Sequence, residues 1–180
     1  MVHRIVKKGT ATYPSEGTIL HMSVDTPLSA EVLQMGRPLG LRPDEAFDAF
    51  KNILRKAAKD LPDDTRFGLR GSAVTGDGFN DVTKKFDKGF FDIGRKSDYD
   101  FAVMSPTLFQ RARALGVKVN KDGTRTIQLK VEDLKELGLD TLLRDIHSLT
   151  GREDTEIVLY KTQQVFAQRG THIRFQQGLR

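Results

Sequence analysis

The stretch that most constrains the fold is Tyr99-Asp100-Phe101-Ala102-Val103-Met104-Ser105-Pro106. Its unbroken apolar run, bounded by polar residues, describes a strand buried in a sheet. Ser105 then supplies an N-cap and Pro106 a first helical residue with its φ already set, which predicts a helix to about Leu115. A strand that feeds straight into a helix calls for a sheet with helices packed on it. A second segment agrees. From about Pro43 to Leu61, Pro43 suits a first helical turn, and Asp44 and Glu45 complement the positive helix start. Phe47, Phe50, Leu54, Ala57 and Leu61 recur on one face. The expectation is an α/β (α+β) domain with a small mixed sheet.

The chain has 180 residues, 38% of them hydrophobic and 29% charged, the length and balance of one folded domain spanning 1–180. No apolar run approaches the roughly 20 residues of a membrane-spanning helix, so no membrane partner is expected, and the first eight residues lack the apolar core of a signal peptide. Cysteine is absent. That excludes disulfides, thiolate catalysis and cysteine-ligated zinc, and leaves oxygen or histidine to hold any metal. A net charge of +5 suits an anionic partner such as nucleic acid or nucleotide phosphate.

Residues 1–42 are broken by Gly9, Pro14, Gly17, Pro27, Gly36, Pro38 and Gly40, and are expected to be loop-rich, with short extended pieces at 4–6 and 18–22. Arg66-Phe67-Gly68-Leu69-Arg70 predicts a short strand running into a turn at Gly71-Ser72, where small side chains let the backbone approach a ligand. Residues 73–97 predict a long polar loop or flap with little regular structure. Residues 117–130 suggest a hairpin or extended arm turning at Asn120-Lys121-Asp122-Gly123, and 131–149 two helical pieces parted at Gly138. The tail offers a strand at Thr155 to Tyr160, a short helix from Gln163 to Gln168 and a last strand from Thr171 to Phe175.

Residues two apart in a strand share a face, so Asp98 and Asp100 set two carboxylates side by side at the mouth of the buried strand. Their repulsion is relieved most simply by a divalent cation. Hard Mg²⁺ favours carboxylate oxygens together with substrate phosphate oxygens. Exposed backbone N–H groups and the Ser72 hydroxyl at the preceding turn suit phosphate. The pattern suggests metal-assisted phosphoryl chemistry. A solvated acidic pair at a strand edge is the plain alternative.

Leu69-Arg70-Gly71-Ser72 followed by Ser97-Asp98-Tyr99-Asp100-Phe101-Ala102 resembles the Gly-Ser then Asp-x-Asp signature of the nucleotidyltransferase superfamily with the DNA polymerase beta-like fold. Arg70 to Gly76 and Phe91 to Asp100 are also similar to nucleotidyltransferase-like domains at the C-termini of bacterial polymorphic toxins. The resemblance implies transfer of a nucleoside monophosphate from a nucleoside triphosphate to a hydroxyl, with two Mg²⁺ ions. Gly71 and Ser72 would hold the triphosphate, Asp98 and Asp100 would ligate the metals, and a third carboxylate would help deprotonate the acceptor. Glu156 is its candidate and Asp154 the fallback. The acceptor would be RNA, such as a tRNA end, or a protein side chain. The toxin likeness implies a cytoplasmic site of action, delivery from a larger secreted protein and a cognate immunity protein. The 25 residues between Ser72 and Asp98 exceed the family's usual spacing, so this loop must fold out of the way or join the site.

Arg70, Arg95 and Lys96 flank the signature and would neutralise charge on the leaving group. Lys161, after the 155–160 strand, is a further candidate for the same pocket. His3, His21, His147 and His172 show no metal-ligand spacing. Ser72 lacks the glycine pattern and base of a hydrolase nucleophile. Phe79, Phe86, Phe90 and Phe91 are interleaved with Lys84, Lys85 and Lys88. They suit either base stacking and phosphate binding or a small satellite core. The competing class is a non-catalytic nucleic-acid or partner-binding module that retains the fold.

Overall fold

A computed structural model describes residues 9–23, 28–41, 44–80, 85–89 and 99–176, with the side chains of 77–80 and 85–89 outside the description. In chain order the elements are β1 (Gly9–Tyr13), β2 (Thr18–Met22), α1 (Ala30–Met35), α2 (Asp44–Asp60), β3 (Arg66–Arg70), α3 (Ser72–Thr75), β4 (Asp77–Asn80) and β5 (Lys85–Gly89). After these come β6 (Asp100–Met104), α4 (Pro106–Ala114), α5 (Val131–Glu136), α6 (Asp140–Thr150), β7 (Glu156–Tyr160), α7 (Gln163–Ala167) and β8 (His172–Phe175). Six strands form one mixed sheet in the order β1-β2-β8-β3-β6-β7, in which β6 and β7 run parallel and the other pairs antiparallel.

Alternation along each strand divides the sheet into two faces. Phe67 and Leu69 of β3, Phe101 and Val103 of β6, Ile157 and Leu159 of β7, and Ile173 and Phe175 of β8 all enter the main core. The helices cover that face. Phe47, Phe50 and Leu54 of α2, Leu108 and Phe109 of α4, and Leu142 and Ile146 of α6 are buried in the same cluster, with Phe50 edge-on to Phe101 at 6.2 Å. Each such side chain contributes about 1.5–3 kcal/mol on burial, which is what gives α2 its single apolar stripe. On the opposite face the described cover is α7, whose Phe166 packs on Ala102, Met104 and Tyr160.

The expected start of α4 holds, while Pro43, expected in the first turn of α2, lies outside the described residues. Ser105 caps α4 by accepting from Leu108 N at 3.1 Å, and Pro106 opens it. Asp64 braces this corner, accepting from the Ser105 hydroxyl and from Thr107 N at 3.0 Å. Gly138, at φ +71°, parts α5 from α6. In the 117–130 segment, Asn120 Oδ1 accepts from Thr124 N and Arg125 N, and the pairing is confined to the bridges Val119 to Thr126 and Arg125 to Tyr160.

Two expectations need correction. The described residues of the 73–97 stretch carry more than the little regular structure expected: they open with α3 and continue into β4 and β5, an antiparallel pair with a bulge at Gly78/Phe79. Backbone pairing there outweighs the poor strand propensity of its glycines and lysines. The segment before residue 42 is also more ordered than its glycines and prolines suggest. β1 and β2 form a hairpin that extends the main sheet through β8, and Tyr13 joins the core. The expected extended piece at 4–6 lies outside the described residues.

Candidate functional site

The site begins at the start of β6. Tyr99 is 1% exposed and its hydroxyl donates to Leu39 O at 2.7 Å. Burial pushes its pKa up to about 12, against a smaller opposing pull from Arg152, whose guanidinium lies 5.3 Å from the ring. With Tyr99 turned into the core, Asp100 faces the other side of the sheet, where it is exposed. Tyr99 N also donates to Thr155 Oγ1 at 3.1 Å, and His147 Nε2 donates to Thr155 O at 2.7 Å. These bonds tie the beginning of β6 to the beginning of β7, and with them the register in which Asp100 stands opposite Glu156.

On the other flank Arg70 is the antiparallel partner of Asp100. Arg70, Asp100 and Glu156 therefore form a row across three strands on the face away from the main core, with strands about 4.8 Å apart. Glu156 is exposed. Arg70 is half-buried, and its Nη1 donates to Tyr160 Oη at 3.3 Å.

Gly71 couples the two halves of the sequence signature. Its backbone, at φ +74° and ψ −156°, lies in a region that only glycine occupies readily, and a Cβ there would fall 1.8 Å from Asp100 Oδ2. The carboxylate thus rests directly against the Gly71 backbone. From this turn α3 enters the protein: Ser72 is 7% exposed, and Ala73 and Val74 are fully buried. Ala73 O accepts from Leu39 N at 2.9 Å and Val74 O from Ser29 N at 3.0 Å, so the turn is anchored from both sides.

Arg70, Gly71, Ser72, Asp100 and Glu156 are thus brought together. Asp98, Arg95 and Lys96 lie outside the described residues, as do Phe90, Phe91 and Lys84. Phe79 and Phe86 are cross-strand partners in the β4–β5 pair. Asp154 occupies the exposed turn before β7, off the row. Lys161 belongs to the wrong end of the sheet: it follows the last residue of β7, whereas Glu156 is the first, a separation of roughly 16 Å at strand rise. It does not serve this site.

The residues that continue the row were not among the site candidates read from the sequence. His172 and Arg174 of β8 and His21 of β2 share the face of Arg70, and the His21 and His172 rings stack at 5.0 Å. The alternation His172-Ile173-Arg174-Phe175 was the available signal. Among the described residues no group of three or more His, Cys, Asp or Glu side chains is close enough to hold a metal ion; Asp98 is not among them. Comparison with known proteins yields no matching family model, no matching curated protein and no matching solved structure.

Proposed function

We propose that the protein is a Mg²⁺-dependent nucleotidyltransferase of the polymerase beta-like kind, moving a nucleoside monophosphate from a nucleoside triphosphate to a hydroxyl. The observation that supports this best is the contact between Gly71 and Asp100 with Glu156 alongside: two motifs far apart in sequence meet on one face of the sheet. The donor set fits the ion, since carboxylates on neighbouring strands offer hard oxygens. Asp98 and Asp100 would hold Mg²⁺ with help from Glu156, and bound Mg²⁺ would neutralise phosphate charge and make the acceptor hydroxyl more acidic.

The chain's own residues have separable tasks. The Gly71 backbone and the Ser72 hydroxyl bind triphosphate oxygens, and Arg70 lends positive charge at the same level of the sheet, with Arg95 and Lys96 as further cations. Glu156 accepts the proton of the attacking hydroxyl. The acceptor oxygen bonds to the α-phosphorus, the bond from that phosphorus to the bridging oxygen of the β-phosphate breaks, and pyrophosphate departs with the electron pair. With the likeness to toxin C-terminal domains, the proposal extends to an effector acting in a target cell's cytoplasm and opposed by an immunity protein.

The test is incubation with Mg²⁺, each α-labelled nucleoside triphosphate, total RNA and cell proteins, beside the Asp98→Ala/Asp100→Ala variant. Label on RNA or protein only with the intact pair supports transfer. Equal binding of nucleic acid by both forms without any transfer favours a non-catalytic module.

A further inference from the structure

The row through Asp100 does not stop at Arg70. Continuing the β3–β8 register by one residue sets Arg70 opposite His172, and His172 pairs with His21 on β2, which pairs with Thr10 on β1. One polar line therefore crosses the sheet, acidic at Asp100 and Glu156 and basic from Arg70 onward. Arg174, two residues along β8, points to the same face.

The basic half is short of partners. Arg70 Nε, His172 Nε2 and Arg174 Nε are buried without a hydrogen-bond partner, and no carboxylate among the described residues pairs with either arginine. Each unmet buried donor costs about 1–3 kcal/mol, so the two arginine Nε–H groups on one face call for an explanation, while His172 Nε2, which carries no proton, is left as an unmet acceptor. His172 itself is neutral. Its side chain is fully buried, and its Nδ1–H donates to Gly170 O at 2.6 Å. The fixed positive charge is that of Arg70 and Arg174, with the half-exposed His21 ring lying over His172 beside them.

We propose that Arg174, flanked by the His21–His172 stack and with Arg70 between it and Asp100, holds a backbone phosphate of a single-stranded RNA whose terminal hydroxyl reaches Asp100. This deepens nucleotidyl transfer by naming its acceptor, and rests on it only for the events at Asp100. Planar guanidinium groups suit phosphate, and an imidazole face suits a neighbouring base. A protein hydroxyl would bring no charge to match this half of the row. The net charge of +5 points the same way.

The experiment measures binding without turnover. Fluorescence anisotropy of a labelled single-stranded RNA, with no nucleotide present, is followed over a salt series for the whole chain and for Arg174→Gln, Arg174→Lys and His21→Gln. In parallel, equilibrium dialysis measures labelled ATP with Mg²⁺, and thermal melting checks the fold. Arg174→Gln should weaken RNA binding roughly tenfold or more and lower the slope of log affinity against log salt by about 0.7, while ATP binding is kept. Arg174→Lys should restore the slope, and His21→Gln should give a smaller loss. An unchanged affinity and slope in Arg174→Gln overturns the proposal. So does loss of ATP binding with RNA binding kept, which would assign the basic half to the triphosphate. Failure of the whole chain to bind RNA, with label passing to a protein, overturns it as well while leaving nucleotidyl transfer standing. If transfer itself fails, the salt slopes still decide the phosphate site.

Discussion

Replacing Gly71 by alanine should strike the site twice. The backbone at φ +74° and ψ −156° is costly for any residue with a Cβ, by about 1–3 kcal/mol. In a chain of 180 residues that corresponds to a melting temperature lower by about 2–12 °C. The added methyl would also stand 1.8 Å from Asp100 Oδ2, roughly half an ordinary contact distance. Because the obstructed atom is the end of a short side chain, the carboxylate will swing aside rather than unfold the sheet. A displacement of about 1 Å at a reacting group can lower turnover about 100-fold. The assay is a double-mutant cycle: denaturant unfolding of the unaltered chain, Gly71→Ala, Asp100→Ala and the double variant, with label transfer measured on the first two. The steric part should vanish once Asp100 is truncated, giving a coupling of about 0.5–3 kcal/mol. Strict additivity of the two substitutions would refute the contact between Gly71 and Asp100.

Three further predictions follow from the surrounding structure. Burial alone would raise the Asp64 pKa, but the hydrogen bonds from Ser105 and Thr107 and the charge of Arg66 outweigh it and hold the carboxyl below its ordinary 3.8. Its stabilising effect is therefore full above that value and lost as pH falls through and below it. Asp64→Ala should cost about 0.5–2 kcal/mol near neutrality, with the gap to the parent chain closing in acid, as melting curves across pH will show. Burial, aided by the nearby charges of His21, Arg174 and Arg70, pulls His172 down to about 4 from 6.5, against the Gly170 hydrogen bond. Since the unfolded chain takes up that proton first, stability should decline as pH drops from 6.5 toward 4, and the His172 ring resonance should titrate near 4; a midpoint near 6.5 contradicts the packing described. Tyr99→Phe removes the donor to Leu39 O and should cost about 1–3 kcal/mol, visible as a lower denaturant midpoint; no change would mean that Tyr99 does not anchor the start of β6.

What the sequence disclosed depends on whether the signal was local. The α2 stripe, the β3 strand and the Ser105-Pro106 boundary were legible because capping, proline geometry and period-of-3.6 burial act over a few residues. β1 was missed because Gly9-Thr10-Ala11-Thr12-Tyr13 is an edge strand with one fully buried side chain, and α1 because it is short and buries only Val32. The β4–β5 pair was hidden behind glycines and lysines. Glu156 could be nominated from its place at the head of a strand, but that β7 would lie parallel to β6 and set Glu156 opposite Asp100 is a matter of register between segments joined by three helices and a long connection. The basic half of the row was missed for the same reason: the alternation in β8 marks a polar face but not the strands beside it. Four histidines looked scattered until β8 inserted between β2 and β3 and laid His172 against His21.

The most direct test of the central claim compares α-labelled and γ-labelled nucleoside triphosphate, in the presence of Mg²⁺ and the acceptor mixture, for the unaltered chain and Glu156→Gln. Nucleotidyl transfer at the Asp100–Glu156 row predicts α-label on the acceptor, γ-label in released pyrophosphate, and a rate lower by about 100-fold or more when Glu156 cannot take the proton. γ-Label on the acceptor, or α-label transfer at full rate in Glu156→Gln, would contradict it.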